Sequence, residues 1–395
     1  MTRTCGVPRT RTTSRAPAAR LRLESLEDRT VPGVAYDPVT GRGELSGHAF
    51  YALTDLPPPP AAPRDGSFVP RDPPFDLADT FRLHTRPAAH QVIYLDFTGH
   101  TTTETAWNTV NHPSIVTPAF DTDGNPAAFS PTELERIQRI WQRVAEDFSP
   151  FDVDVTTEPP GPDRLRNTGP GDTDWGIRAV VGGDGSWFGA VAGVSFTGSF
   201  TWDTDTGCFV FPDRLGGDEK YTADTISHEV GHTLGLEHDG QTSPPDDYYE
   251  GHGTGPTGWA PIMGLGYYRE LTQWSRGEYQ NASNTEDDLA IITTRNGFGY
   301  RPDDHGDSSA TATTALVTGP TGIAGAGVIE QRTDGDVFAF TSGAGPVSIT
   351  VRPADRGPNL DIRAELYDTS GTLVAADNPA GQLEATVMAD VPAGR

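Results

Sequence analysis

The sequence predicts a mixed α/β (α+β) domain over residues 90–302, followed by an all-β sandwich domain over residues 306–395. The first part alternates short apolar runs, which are typical of strands, with three segments whose apolar residues recur at helical spacing. The second part consists of short alternating segments broken by Gly, Thr and Asp, which is typical of antiparallel strands. At 395 residues the chain exceeds the usual size of one domain, so two folded units are expected.

The helices of the first domain are indicated by their end signals. Ser130 and Glu133 form a capping box in front of an apolar stripe, so a helix is expected over residues 131–148. A last helix is expected to be capped at 283–284 (Ser-Asn) and to end at 296–297 (Asn-Gly). A doubly buried strand is expected at 90–98, a half-buried strand at 151–155, and further strands at 176–182, 189–197 and 207–211.

The most informative stretch begins at His228 and reads His-Glu-Val-Gly-His-Thr-Leu-Gly-Leu-Glu-His-Asp. Residues four apart on a helix share a face, so His228 and His232 can present imidazole nitrogens to one ion. The carboxylate of Glu229 can reach a water on that ion without becoming a ligand. Gly235 can adopt a positive φ and end the helix, which would return His238 as a third ligand. Three nitrogen ligands would leave one position of a zinc ion open for water.

The alternative for the first five residues of this motif is an ordinary amphipathic helix with solvent-facing histidines. The same helix has a core side, because Ile226, Val230 and Leu234 recur every fourth residue. A third histidine and a helix-ending glycine at the required offsets favour the metal site.

A methionine follows the motif in the stretch Ala-Pro-Ile-Met-Gly-Leu-Gly-Tyr-Tyr. The histidine motif and Met263 together resemble the metzincin family of zinc endopeptidases, in which a tight turn carries a methionine beneath the metal site. A buried methionine that fills a gap in the core is the alternative for Met263.

The residues around the motif resemble some metzincin types more than others. Asp239, which follows the third histidine, resembles the reprolysin type, although the cysteine network of those proteins is absent. Leu265 stands where astacins and serralysins have a metal-binding tyrosine, so Tyr267 or Tyr268 is expected to line the substrate cleft or to steady the transition state.

The resemblance implies a mixed twisted sheet beside the zinc helix, one catalytic Zn²⁺ and a protein or peptide substrate. It also implies that Glu229 acts as the general base in peptide-bond hydrolysis. The glycine-spaced segment 189–197 precedes the zinc helix, and Gly193 would let a substrate strand approach its backbone closely. An irregular strand with bulges is an equally good interpretation of that segment.

Charge and cysteine content narrow the possible functions. A net charge of −26 disfavours nucleic-acid binding, which needs clustered Lys and Arg. Calcium sites are consistent with this acidity, and residues 120–124 (Phe-Asp-Thr-Asp-Gly) are a candidate. A plain Asp-Gly turn is favoured there, because the other ligands of an EF-hand are missing.

The chain has two cysteines, Cys5 and Cys208, and this small number excludes a disulfide framework. The Cys-Gly-Val-Pro sequence at Cys5 is similar to the matrixin cysteine switch, but its flanking residues differ, which favours coincidence; Cys208 is expected to be a small buried hydrophobe.

The chain before residue 90 is predicted to lack a compact fold. Residues 1–34 are basic and hold no apolar run of a standard signal peptide, and no membrane span is expected in the chain. Residues 21–32 (Leu-Arg-Leu-Glu-Ser-Leu-Glu-Asp-Arg-Thr-Val-Pro) are similar to the N-terminal segment of large predicted surface proteins of some bacteria. That similarity implies a location at the cell surface or in the medium, and a disordered basic tail is the alternative. Residues 35–89 are Pro-rich and are predicted to be an extended linker or pro-segment.

Residues 306–395 resemble the bacterial pre-peptidase C-terminal domain that accompanies secreted peptidases. The similarity lies in Asp-Gly-Asp-Val-Phe at 334–338 and Asn-Leu-Asp at 359–361. The chain stops where that family usually has further strands, so an incomplete sandwich is expected. Its strands are expected at 337–340, 347–351, 360–367 and 372–375.

The sequence therefore predicts a secreted or surface zinc endopeptidase. One alternative is a non-catalytic surface adhesion or binding protein in which the zinc site is vestigial. Another is a peptidase that processes only itself, by removing its N-terminal segment or its C-terminal sandwich.

Overall fold

A computed structural model describes residues 35–37, 40–54, 75–109 and 112–394. The segment 1–34 lies outside the described residues, so the targeting-like segment remains a prediction, as does the interpretation of the Cys-Gly-Val-Pro similarity at Cys5 as coincidence. Most of the Pro-rich run, at 55–74, lies outside them as well.

The described residues form three α-helices and 22 strands. The helices are α1 (Pro131–Asp147), α2 (Glu219–Thr233) and α3 (Asp288–Arg295). The strands up to residue 302 are β1 (Ala35–Tyr36), β2 (Arg42–Leu45), β3 (His48–Thr54), β4 (Gln91–Asp96), β5 (His100–Thr102), β6 (Ile115–Thr117), β7 (Val153–Thr156), β8 (Gly176–Val181), β9 (Val191–Phe196), β10 (Cys208–Val210), β11 (Gln241–Thr242), β12 (Pro245–Asp246), β13 (Trp259–Pro261) and β14 (Leu271–Gln273). The later strands are β15 (Thr313–Thr314), β16 (Leu316–Val317), β17 (Ile323–Ala324), β18 (Phe338–Ala339), β19 (Gly345–Val351), β20 (Ala364–Tyr367), β21 (Leu373–Asp377) and β22 (Ala385–Val391). Within the described ranges, none of the helices combines the length and the apolar character needed to cross a bilayer.

The largest sheet has eight strands in the order β1-β2-β3-β9-β10-β8-β4-β7. The four strands β10, β8, β4 and β7 run parallel to one another, whereas β9 is antiparallel both to β10 and to β3. This arrangement confirms the predicted α+β class with a mixed sheet. The metzincin fold itself remains a prediction.

Apolar clusters cover both faces of this sheet. One cluster joins α1 and α2 to side chains of β4, β7, β8 and β10, and it includes Cys208, which is fully buried. The other, on the opposite face, is mainly aromatic and contains Phe50, Trp107 and Phe196. On β4, Ile93 and Leu95 face the first cluster, while Val92 and Tyr94 pack with Leu165 in a separate small cluster. This coverage explains why all six residues of β4 are buried, as its continuous apolar pattern predicts.

The observed helix ends agree with the ends predicted from the sequence, except for the N-terminal cap of α3. The capping box of α1 is confirmed: Ser130 Oγ accepts from the backbone of Glu133, and the Glu133 carboxylate accepts from the backbone of Ser130. The predicted cap of α3 at 283–284 is wrong. Asp287 caps that helix instead by accepting from the backbone N–H of Ala290, while the predicted end at 296–297 is confirmed. Several Asn, Ser and Asp residues precede α3, so composition alone did not select the cap.

The prediction that residues 35–89 lack a compact fold is wrong for the described part. β2 and β3 form a hairpin whose two turn residues, Ser46 and Gly47, have φ of 55° and 81°. Both angles are those of a type I′ turn, which suits the twist of the flanking strands. β3 then joins the main sheet by pairing with β9. The Pro-rich composition of the whole segment obscured this seven-residue apolar strand.

Residues 75–89 also pack on the domain and change the expected exposure of β7. The sequence predicts a half-buried strand with outward aspartates, but Asp154 is buried. Its carboxylate accepts from the backbone N–H groups of Thr85 and Arg86 and lies 2.7 Å from His84 Nδ1. These partners explain why a charged side chain is tolerated there.

The described residues after 306 form strands only, in four two-stranded sheets. The expected strands at 337–340, 347–351, 360–367 and 372–375 overlap β18, β19, β20 and β21, and β22 is an additional strand paired with β19. β19 to β22 share one small apolar cluster, whose buried members are Ala364, Leu366, Ala385 and Val387. The all-β character is therefore confirmed, and the similarity to the pre-peptidase C-terminal domain remains a prediction.

Candidate metal centre

The helix α2 carries the first part of the site. Asp218 caps its N-terminus by accepting from the backbone N–H groups of Lys220 and Tyr221. The helix ends at Thr233, and Gly235 has a φ of 97°, which confirms the predicted helix stop. The turn brings His238 back towards the helix.

Three histidines converge after this turn. The ligand atoms of His228, His232 and His238 all lie within 4.8 Å of one another. The Nε2 atoms of His228 and His232 are 3.1 Å apart, and the ring centroid of His238 is 4.7 Å from that of His232. The structure thus brings together the three ligands that the motif predicts.

Backbone carbonyls fix the orientation of two of these rings. The carbonyl oxygen of Ile262 lies 3.0 Å from His228 Nδ1, and that of Leu236 lies 2.8 Å from His232 Nδ1. A carbonyl can only accept, so each Nδ1 carries the hydrogen and each Nε2 presents a lone pair. Two lone pairs would then face each other at 3.1 Å, while His238 Nε2 is buried without a hydrogen-bond partner. A cation among the three Nε2 atoms would satisfy all of them, so this donor set fits a zinc ion.

The protonation of the histidines suits the same role. Burial lowers the pKa of His228 to about 4 and lowers the pKa values of His232 and His238 well below the usual 6.5. All three rings are therefore neutral near pH 7, and neutral imidazole is the form that ligates metals.

Glu229 lies beside the histidines against strand β9. Its Oε2 accepts from Ser195 Oγ at 2.5 Å, and its Oε1 is buried with no hydrogen-bond partner among the described residues. Burial raises the pKa of this carboxyl well above its usual value, so it holds a proton more readily than an exposed glutamate. Gly193 is the strand residue opposite the carboxylate: a Cβ there would lie 2.5 Å from Oε1. The glycine thus permits close packing of β9 on Glu229.

Met263 and Asp239 connect the segments that carry the histidines. Met263 is fully buried, and its Sδ packs so closely against Gly231 that no Cβ would fit there. Its carbonyl accepts from the backbone N–H of Asp239 at 2.9 Å, which ties the turn to the chain after the third histidine. Burial and the nearby Glu286 raise the pKa of the Asp239 carboxyl to about 7. The Asp239 carboxylate does not belong to the group of ligand atoms, so the two residues hold neighbouring segments of the site in place.

The two candidate cleft tyrosines differ in position. Tyr267 lines a small cavity next to His228, together with Leu53, Asp147 and Leu265. Its hydroxyl lies 2.7 Å from Thr225 Oγ1, so the hydroxyl faces α2. Tyr268 does not line that cavity and is 37% exposed. Of the two predicted tyrosines, the structure therefore brings Tyr267 to the site and leaves Tyr268 outside it.

Two further tyrosines contact the histidines and were missed at the sequence level. The ring of Tyr51 stacks on His232 with centroids 4.4 Å apart and planes 10° apart, and its hydroxyl donates to the Glu237 carboxylate. The ring centroid of Tyr248 lies 4.4 Å from that of His238. The apolar run around Tyr51 and the Ser-Gly turn before it could have indicated a strand, but nothing local pointed to Tyr248.

The predicted calcium loop forms an ordinary turn. Asp121 Oδ1 accepts from the backbone N–H groups of Asp123, Gly124 and Asn125, and Glu133 is engaged in the capping box of α1. The favoured interpretation as an Asp-Gly turn agrees with these bonds. Ca²⁺ binding remains a prediction, although carboxylates at Asp121, Asp123 and Glu133 and two groups within 303–336 lie close enough to share a cation.

Comparison with known proteins adds no family assignment, since no family model, curated protein or solved structure matches this chain.

Proposed function

We propose that this chain is a zinc-dependent endopeptidase that acts on protein or peptide substrates. The observation that carries the proposal is the orientation of the site: buried His228 and His232 and half-buried His238 bring their ring nitrogens within 4.8 Å of one another, and His238 Nε2 has no hydrogen-bond partner. A zinc ion among the three rings would give the buried His238 Nε2 the partner that the protein itself does not supply.

Zinc bound by His228, His232 and His238 would supply a Lewis acid for the scissile carbonyl and an acidified water. Glu229 takes one proton from the attacking water and delivers it to the nitrogen of the leaving amine. The water oxygen forms a bond to the carbonyl carbon, and the peptide C–N bond breaks. Ser195 orients Glu229 by donating to Oε2, which leaves Oε1 for the proton transfer.

Strand β9 is the strand along which a substrate would lie, on the side where β3 pairs with it in this structure. Gly193 and Ser195 on this strand flank Glu229, so a peptide paired with β9 would pass directly over the carboxylate. Strand addition of this kind uses main-chain hydrogen bonds and accepts many sequences. We also propose that the protein acts at the cell surface or in the medium of a bacterium, from the similarity of residues 21–32.

The test compares the zinc-loaded wild type with Glu229→Ala on an unfolded protein substrate, with products identified by mass spectrometry. The variant should keep one zinc per chain and lose activity by about 10²–10⁴-fold, because only the proton transfer is removed. Glu270→Ala, which removes an exposed glutamate, is the matched control and should cleave as the wild type does. Equal cleavage by Glu229→Ala and the wild type would refute the general-base role.

The same spectra test the self-processing alternative, which gains support because the chain's own strand β3 lies against β9. Cuts confined to this chain, absent in Glu229→Ala, would identify a peptidase that processes only itself.

A further inference from the structure

The metal centre is closed in this structure. His228 is 2% exposed, and His232 and Glu229 are 0% exposed, while His238 is half-buried with its Nε2 atom covered. A peptidase must place a substrate carbonyl beside these groups, and a polypeptide cannot reach them while they are buried. The element that covers them therefore decides whether the site can work.

Strand β3, residues 48–54, is that element, and we call it the covering strand. Tyr51 lies flat on His232 and also contacts His238, with centroids 4.4 Å apart in both cases. Leu53 lines the cavity next to His228. The hydroxyl of Tyr248, whose ring packs on His238, donates to the carbonyl oxygen of Ala52 at 3.4 Å. The strand thus contacts the site through side chains and main chain alike.

The register places this strand where a substrate would lie. It runs antiparallel to β9, with Tyr51 opposite Ser195 and Leu53 opposite Gly193. These two residues of β9 are the ones that contact Glu229. The main chain between Tyr51 and Leu53 therefore passes over the carboxylate. Without the covering strand, β9 would be an edge strand with a free row of backbone donors and acceptors.

We propose that the covering strand is an internal, substrate-like ligand, and that the site opens only when this strand leaves β9. The inference rests on the proposed function, because it assumes that β9 is the substrate edge. It also specifies a substrate class: an extended peptide whose aliphatic side chain takes the place of Leu53, which lines the small cavity with His228, Leu265 and Tyr267.

The proposal is tested by access to the metal rather than by catalysis alone. The full-length chain is loaded with Co²⁺, whose absorption changes when acetohydroxamate, a small bidentate metal ligand, binds. Tyr51→Ala removes the ring that lies on His232, and it should lower the acetohydroxamate concentration for half-maximal change at least tenfold. The same variant should cleave an added unfolded protein at least tenfold faster than the wild type.

A disulfide can close the site again in the same protein. Ala52 pairs with Val194, and both side chains face the aromatic cluster on the far side of the sheet. The N–H of Ala52 points to the carbonyl of Gly41, so this pair is not hydrogen-bonded to β9 and has the close spacing that a cross-strand disulfide needs. Ala52→Cys with Val194→Cys is therefore added to Tyr51→Ala in a Cys5→Ser background.

The oxidised form of this variant should exclude acetohydroxamate and stop cleavage, and reduction should restore both. Tyr51→Ala in the Cys5→Ser background, treated with the same reductant, is the control. Equal acetohydroxamate binding by the oxidised and reduced forms, or by Tyr51→Ala and the wild type, would overturn the proposal. If access changes as expected while no form cleaves protein, the covering role stands and the peptidase function fails.

Discussion

The two sides of the candidate metal centre are held by different kinds of contact. On one side, which we call the support, carbonyls of Leu236 and Ile262 accept from the ring Nδ1 atoms of the histidines, and Met263 packs against Gly231 of the same helix. On the other side, the covering strand at 48–54 acts through ring stacking and sheet pairing, with no bond to a histidine nitrogen. The support orients the ligands, and the cover controls access to them. Mutations should therefore separate metal binding from access.

The largest effect is expected when a ligand is removed. His232→Ala leaves two of three nitrogen ligands, so stoichiometric zinc and all cleavage should be lost together. Zinc per chain after dialysis, measured by atomic absorption, checks this. His252→Ala removes an exposed histidine outside the group and should retain zinc. Full zinc retention in His232→Ala would show that the ion binds elsewhere.

A smaller effect is expected from crowding the support. In Gly231→Ala the new Cβ would collide with Met263 Sδ and lie 3.3 Å from a ring carbon of Trp274. Overpacking of this kind costs about 1–3 kcal/mol and should lower both the melting temperature and the zinc affinity. The cost should shrink in a Met263→Ala background, because the collision partner is gone. An equal loss in both backgrounds would mean that the Met263 contact is unimportant.

The smallest effect is expected from removing one hydrogen bond to the covering strand. Tyr248→Phe removes only the hydroxyl that donates to the Ala52 carbonyl. A neutral hydrogen bond contributes about 1 kcal/mol, so access of acetohydroxamate to the Co²⁺ form should rise about fivefold while zinc binding is unchanged. The control is Tyr249→Phe, which removes a hydroxyl that is hydrogen-bonded to His252 and not to the covering strand. This variant should bind acetohydroxamate as the wild type does. Loss of zinc in Tyr248→Phe would place this tyrosine with the support.

The sequence could predict the histidine cluster but not the covering strand, because the first depends on local structure and the second on strand order. The ligand pattern is local, since helix periodicity and Gly235 determine where His228, His232 and His238 meet. The contact of Tyr51 with His232 depends on the order of strands in the sheet, which local patterns do not encode. The Pro-rich composition of 35–89 also outweighed the apolar run of the covering strand.

The exposure of Asp154 illustrates the same limit. Alternation in the sequence predicts an outward carboxylate, but residues 84–86 from a segment predicted to be a linker supply its partners. Burial of a polar side chain depends on what packs over it, and that information lies far away in the chain. The α+β class and the capping box of α1, by contrast, follow from patterns within single elements.

The most direct test of a covered zinc peptidase site is digestion of an unfolded protein by zinc-loaded Tyr51→Ala, compared with the double variant Tyr51→Ala, Glu229→Ala. The first has an uncovered site with its general base, and the second has the same access without the base. We expect one zinc per chain in both, cleavage by the first and about a hundredfold less cleavage, or lower still, by the second. Equal cleavage by the two, or none by a Tyr51→Ala protein that holds its zinc, would refute the proposed site.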